Sequence, residues 1–373
     1  MTSPSVLRNF TSITVLACCA FGLANAGAQT YDLADLGVLP GQIEATSMPA
    51  AINPQAQVAG TSGGSAFLYT KTNKVPMEDV GADPYGSITR GFGINVYGQV
   101  VGDSTFGGGP SHAALFSKGY AVDLGTLKDE LFSRANGINA SGQVVGYSSQ
   151  KPDLDFGRAF IVSTSDNSPG EMVDLGTLGG VWAQAWAIND SGFVTGNSQV
   201  ENNYGPTHAF VWGSKTGMVD LGTIAGDSSY GTALSAKNHV VGYSTINNVD
   251  ERVHAFLHDG VKIHDLGSLG GASVESDYSF ALGVNAHDQV VGYSYLPNSI
   301  PSELPPLQVA FVCRQGLMVD LNGLIGTMAA KYRLYSATAI NDNGQIVAIA
   351  FHVPSNAVHA VLLTPKPNRI GTR

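Results

Sequence analysis

The chain has 373 residues and a formal net charge of −10; only 13 % of its residues are charged, and 46 are glycine. That composition suits many short strands joined by turns rather than long helices, and the acidic balance repels phosphate backbones, so nucleic acid is not an expected partner. Of the three cysteines, Cys18 and Cys19 lie close to the N-terminus, which leaves no basis for a disulfide framework.

Residues 1–28 stand apart from the rest. Arg8 is their only charge, an apolar run spans 13–23, and small-x-small sites follow at Ala24-Asn25-Ala26 and Ala26-Gly27-Ala28. This is the anatomy of a secretory signal peptide, too short and wrongly flanked for a transmembrane anchor. Val15-Leu16-Ala17-Cys18 loosely resembles a lipoprotein cleavage box, but the apolar run continues past Cys18. Export in soluble form, to the periplasm or outside the cell, therefore outranks lipoprotein anchoring. Cleavage removes Arg8 and two cysteines, which takes the net charge from −10 to −11 and leaves Cys313 alone. Cys313 occupies the slot held by Trp212 and His258 in sister repeats, which reads as a packed strand position rather than a nucleophile.

Residues 29–365 form a single domain in which one unit recurs seven times, ahead of a tail at 366–373. A marker slot falls at Asn53, Asn95, Asn139, Asn189, Ser235, Asn285 and Asn341, so six steps from 53 to 341 give a mean period of 48 residues. That period, with about four short strands per unit, is the signature of propeller blades. Two and four positions before the slot every residue but Pro49 is Ala or Gly. The pattern puts small side chains on one face of an inner strand, where backbones approach closely. The Ile, Leu or Val just before the slot faces the packing between sheets.

The Asn then opens a hairpin, its side chain bonding the backbone two residues on. Three residues after the slot stand Gly98, Gly142, Gly192, Gly344, Asn238, Asp288 and Ala56, a choice that points to a left-handed conformation. Strand two reads Val-Val-Gly-x-Ser, as in Val144-Val145-Gly146-Tyr147-Ser148; strand three reads His-Ala-Phe, as in His208-Ala209-Phe210; strand four reads Val-Asp-Leu-Gly, as in Val219-Asp220-Leu221-Gly222. With an up-and-down order, the hairpins share one face with the third connections. The second connections and the crossings between units share the other.

The ends are cut unequally. Asp35-Leu36-Gly37 precedes the first full unit, whereas no such phrase follows the last His359-Ala360-Val361. A ring uses that offset, because the N-terminal strand Tyr31–Gly37 completes the last blade and leaves only short, protected edges. The expected fold is all-β: a seven-bladed β-propeller of four-stranded antiparallel blades, closed by the N-terminal strand.

The repeat resembles that of the HAF family of bacterial extracellular repeat proteins, named for the triplet seen here as His208-Ala209-Phe210 and His254-Ala255-Phe256. Degenerate copies are Ser65-Ala66-Phe67, His112-Ala113-Ala114, Arg158-Ala159-Phe160, Val309-Ala310-Phe311 and His359-Ala360-Val361. The resemblance covers essentially the whole chain after residue 28. It implies a secreted or cell-surface protein and offers no catalytic residues to carry over.

Catalytic and metal signatures are weak. His112, His208, His254 and His359 share one slot, and a seven-fold ring spreads such positions apart, so they are expected to bond neighbouring strands rather than converge on an ion. His239, His287, His258 and His264 show no ligand spacing either. The repeated Asp of strand four reads as a turn cap. Asp153 and Asp155 alternate, without the remaining ligands of a calcium loop. Neither a metal nor a cofactor is expected.

Variation concentrates on the face of the crossings, and variable loops on a rigid scaffold are where function usually lies. The crossings carry Tyr85, Phe132, Trp182, Trp186, Tyr230, Tyr278, Tyr332 and Tyr335, rings suited to stacking on sugars or peptide side chains. Arg90 and Arg134 hold the same slot in successive units and should stand side by side, facing either an anionic ligand or nearby Asp129 and Glu130. The candidate ligand-binding residues are Arg90, Arg134, Trp182, Trp186, Tyr230, Tyr278 and Tyr332. The leading expectation is a secreted, monomeric, non-catalytic propeller, without a membrane span, that binds an extracellular glycan or protein through its loop-rich face. The alternatives are an extracellular polysaccharide-degrading lyase or hydrolase, with a Tyr or His base and arginines neutralising a uronate, and a purely structural surface repeat.

Overall fold

The computed structural model describes residues 29–367, apart from 43–45, 72–76, 82–87, 118, 153–155, 166–167, 202–204, 272–274 and 298–306. The expected signal peptide, Tyr85, Asp153, Asp155 and most of the tail lie outside the described residues. Seven antiparallel sheets stand around an axis; six keep their strands in sequence order, and the seventh takes the N-terminal strand beside the last strand of the chain. The inner strand of each blade touches that of the next, and the last touches the first, which closes a seven-bladed β-propeller. The second blade is representative, with strands Thr89–Ile94, Val100–Thr105, Ser111–Ser117 and Tyr120–Asp123. In the third, the outer strand is split into Ser168–Pro169 and Val173–Asp174, both pairing Arg158–Ser165. Among the described residues no helix is long and apolar enough to cross a membrane.

Closure follows the offset of the chain ends. Tyr31–Gly37 pairs antiparallel with Ala357–Pro365, from Tyr31 opposite Pro365 to Gly37 opposite Ala360. The zipper continues one step further, where the Lys366 amide donates to the Thr30 carbonyl. Tyr31 is fully buried in the core of this last blade with Leu334, Ile346 and Leu363.

The core lies between sheets, in seven apolar clusters. Each receives one of the residues that precede the marker slot: Ile340, Ile138, Ile52, Ile188, Val284, Ile94 and Leu234. Phe67, Phe160, Phe210, Phe256 and Phe311 of the triplet strand are fully buried. Cys313 is buried too, and burial pushes its thiol up to about 11, so it is a packing residue. The Gly of Val-Val-Gly explains itself by contact: a Cβ on Gly102 would sit 1.7 Å from the Arg90 carbonyl oxygen, and one on Gly242 would sit 1.8 Å from that of Tyr230. The seventh copy carries Ala348, and its inner strand has a second bulge, between Leu334 and Ser336.

Polar side chains stitch the ring. All seven residues three positions after the slot have positive φ, Ala56 included. Each slot Asn accepts the amide two residues on, and its own amide group crosses to the next blade. Asn53 Nδ2 donates to the Asn95 carbonyl, Asn95 to Asn139, Asn139 to Asn189, Asn189 to Ser235, and Asn285 to Asn341; Asn341 returns to Asn53 at 3.0 Å. The belt is broken only at Ser235, whose side chain is too short to cross. Each Asp of strand four accepts the amide two residues on, from Asp35 with Gly37 at 2.8 Å to Asp320 with Asn322 at 2.8 Å.

Candidate ligand-binding mouth

The inner strands bulge between the two small positions, in every blade. The bulged residue turns toward the axis, so Ala50, Phe92, Asn136, Trp186, Thr232, Leu282 and Thr338 line a central cavity of about 320 Å³. One step toward the loop-rich face, the residue five before the slot pairs across the ladder with the variable x of Val-Val-Gly-x-Ser. The pairs are Arg90 with Asp103, Arg134 with Tyr147, Gln184 with Asn197, Tyr230 with Tyr243, and Phe280 with Tyr293. These pairs form the rim of the channel.

On one side the rim is charged, and two arginines share one buried aspartate. Arg90 makes a bidentate contact with Asp103, at 2.8 and 2.7 Å. Arg134 Nε donates to the same carboxylate at 3.1 Å, its Nη1 to the Tyr147 hydroxyl at 3.2 Å, and its guanidinium lies 4.9 Å above the Phe92 ring. Asp103 is 1 % exposed. The two arginines do stand together, but their partner is this buried aspartate rather than Asp129 or Glu130. Glu130 instead lies 3.9 Å from Arg158, and burial raises its carboxyl above the usual range.

On the other side the rim is aromatic. Tyr230 stacks on Tyr243 at 4.8 Å, Tyr243 meets the Phe280 edge at 4.9 Å, and Phe280 stacks on Tyr293 at 4.6 Å. Trp186 stands 5.7 Å from Tyr147 and donates its indole N–H to Asn197 Oδ1. Trp182, from the crossing into the fourth blade, meets Phe156 edge-on. Together with Gln184, Thr232, Leu282 and Thr338 these side chains wall a cleft of about 710 Å³ with no charged residue among the described residues of its lining. Burial raises the Tyr243 hydroxyl far above its ordinary value and pushes that of Tyr293 up to about 12. Both are neutral hydrogen-bonding groups at physiological pH, unsuited to act as bases.

Trp182, Trp186 and Tyr230 therefore meet in one cleft, beside Arg90 and Arg134 on the opposite rim. Tyr278 lies outside it, edge-on to Tyr295 at 6.3 Å. Tyr332 is corrected from mouth to core: it is 7 % exposed, packs in the closing blade, and donates its hydroxyl to Asp35 at 2.9 Å. The extra bulge in its strand displaces it from the register of the other blades. Tyr243, Phe280, Tyr293, Asn197 and Gln184 escaped the reading of the crossings. Their signal is positional, since they occupy the variable x and the slot opposite it.

The slot histidines each bond the Asp of strand four: His112 with Asp123, His208 with Asp220, His254 with Asp265, and His359 with Asp35. Arg158 makes the same bridge to Asp174. His254 also meets Asp277 at 2.8 Å through Nε2. Burial pulls its pKa down, but the two carboxylates outweigh burial and the net shift is upward.

Fold and rim define a β-propeller with a ligand-sized cleft at one channel mouth. The chain belongs to the family described as "Protein of unknown function (DUF3466)", which matches residues 126–360. No curated protein matches. Among solved structures, TolB from Acinetobacter baumannii is 10 % identical with a TM-score of 0.42, over 87 % of this chain and 64 % of that one, so this chain spans under two thirds of its length. A putative TolB from Agrobacterium tumefaciens is 11 % identical with a TM-score of 0.46, over 91 % of this chain and 100 % of that one. A puromycin-hydrolyzing peptidase of Mycobacterium tuberculosis is 12 % identical with a TM-score of 0.48, over 86 % of this chain and 52 % of that one. Likeness at this level carries no argument about function.

Proposed function

We propose that the protein is an exported, non-catalytic propeller that holds an extracellular ligand, an uncharged glycan segment, in the aromatic half of its mouth. The observation that carries this reading is the lining of the 710 Å³ cleft, in which Trp182, Trp186, Tyr230, Tyr243, Phe280 and Tyr293 surround amide and hydroxyl groups and, among the described residues, no charge. Aromatic faces pack on the apolar faces of sugar rings while neutral polar groups orient their hydroxyls. An ionised ligand would lose its hydration there without a counter-charge. A protein segment with an uncharged side chain is the second occupant the same chemistry admits. Export is part of the proposal, resting on the composition of residues 1–28 and on the resemblance to HAF repeats.

The uronate-lyase alternative fits this rim less well. It required arginines available to a carboxylate, and both Arg90 and Arg134 are bonded to Asp103. The test is calorimetric titration of the protein lacking residues 1–28 with neutral and uronic oligosaccharides, the mixtures then being assayed for new reducing ends and unsaturated products. Saturable binding of a neutral member with no product is expected. Selective binding of uronic members would overturn the ligand assignment, and product formation would overturn the non-catalytic one.

A further inference from the structure

A row of polar side chains crosses all four strands of the closing blade. Tyr332 on the inner strand faces His352 on the second, their rings stacked at 4.8 Å. His352 stacks in turn on His359 of the third strand, at 5.4 Å. His359 Nδ1 lies 2.8 Å from Asp35 Oδ2 on the N-terminal strand, and the Tyr332 hydroxyl donates to the same oxygen at 2.9 Å.

Half of this row belongs to the repeat. His–Asp bridges recur in three other blades, where they tie strand three to strand four and imply no ion. His352 is the part without a counterpart: eleven residues after the marker slot the other blades carry Gly64, Phe106, Gln150, Val200, Ile246 and Leu296. Among the described residues only this bridge has a second imidazole beside it, and the three groups bring one ligand atom each to within 4.8 Å of one another.

We propose that Asp35, His352 and His359 bind a divalent cation of the zinc, nickel or copper class. Two imidazoles and one carboxylate suit such ions better than calcium or magnesium, which take oxygen ligands. Tetrahedral zinc with bonds of about 2.0–2.1 Å holds its ligand atoms about 3.4 Å apart, so a side-chain rotation of about 1 Å completes the set. The fourth position remains for water. Asp35 is exposed and both histidines are half-buried, which leaves an ion a path in. An outer shell is in place as well: Ser355 Oγ lies 2.6 Å from His352 Nδ1, and Tyr332 fixes the carboxylate.

The location gives the site its consequence. Asp35 comes from the first strand of the ring and both histidines from the last blade, so a bound ion cross-links the two ends of the chain at the seam. An ion that binds only the closed ring stabilises it by mass action.

The test titrates metal-stripped protein lacking residues 1–28 with zinc chloride, reading heat and melting temperature, and then with cobalt chloride, reading visible absorption. One zinc per chain, an upward shift in melting temperature and tetrahedral cobalt bands are expected. His352→Phe keeps a ring against Tyr332 and should melt like the metal-free wild type. Its zinc affinity should fall by more than the loss of about 10–100-fold typical of an outer-shell change. His208→Phe, which breaks a bridge with no second histidine, should bind zinc as wild type does. A wild-type protein that takes up no zinc, or a His352→Phe variant with unchanged affinity, would overturn the proposal.

Discussion

The two sides of the mouth are built from the same two slots of the repeat, and they differ in what is left over after the slots have met each other. In the second and third blades the slots hold Arg90, Asp103, Arg134 and Tyr147, and the two guanidinium groups converge on one buried carboxylate. In the fourth to sixth blades they hold Gln184, Asn197, Tyr230, Tyr243, Phe280 and Tyr293, which stack and hydrogen-bond along the rim and still enclose a cleft. Charge in a sequence is therefore not charge available to a ligand. What a rim can recognise is set by the capacity that remains after its own side chains are satisfied.

The largest effect expected from breaking this scaffold is at the seam. Removing residues 31–37 along with the segment before them strips the last blade of its outer strand and of fully buried Tyr31. Each large apolar side chain lost is worth about 1.5–3 kcal/mol, and an open edge remains. The truncated protein should lose cooperative unfolding or melt far below the wild type by calorimetry, and an unchanged melting temperature would refute closure.

Next comes the charged side of the rim. Asp103→Ala leaves two neighbouring guanidinium groups without their shared carboxylate. Since Arg90 and Arg134 are 41 % and 20 % exposed, water offsets part of the loss, and a destabilisation of about 2–3 kcal/mol is expected in chemical denaturation. Affinity for a neutral ligand should survive at temperatures where the variant is folded.

The belt of asparagines can be improved rather than broken. Ser235→Asn restores the missing crossing to the next blade and should stabilise the ring by about 1 kcal/mol, the net worth of one hydrogen bond. Equal or lower stability would show that the slot has adapted to serine.

The smallest effect is in pH dependence. His254 has a folded pKa above its ordinary value, and Asp277, bonded to it, has one below, because the Ser268 and His254 bonds outweigh burial. The histidine's contribution is fully present below the unfolded pKa near 6.5 and fades as pH rises through the folded value. The aspartate's is present above about 3.9 and fades as pH falls through its lower folded value. Wild-type melting temperature should therefore decline from pH 6 to 8 by a component that His254→Gln removes, and identical profiles for the two proteins would contradict the assignment.

The ring was legible in the sequence because its constraints repeat: small residues where backbones touch, positive φ at Gly98, Asn238 and Ala56 alike, and an Asp-Leu-Gly phrase displaced to the wrong end of the chain. The mouth was legible only in part. Trp186 and Tyr230 are conspicuous aromatics among small residues, whereas Tyr243 and Tyr293 sit in the x of a motif whose invariant neighbours draw the eye. The bulge that aims Trp186 and Leu282 at the axis leaves no residue type of its own, because it arises from ladder register. Tyr332 misled for a related reason, since counting from Asn341 does not reveal a second bulge. His352 lies outside every repeated phrase, so nothing in the period marks it.

The central claim is that the aromatic side of the rim, and not the charged side, holds the ligand. The most direct measurement is the calorimetric affinity of one neutral oligosaccharide for wild type, Trp186→Ala and Arg134→Ala, each at a temperature where it is folded. The tryptophan substitution should cost about 1–3 kcal/mol, or roughly 5–150-fold in Kd, and the arginine substitution should leave Kd within about twofold, below 0.5 kcal/mol. A ligand that tolerates Trp186→Ala and is lost with Arg134→Ala would contradict the account.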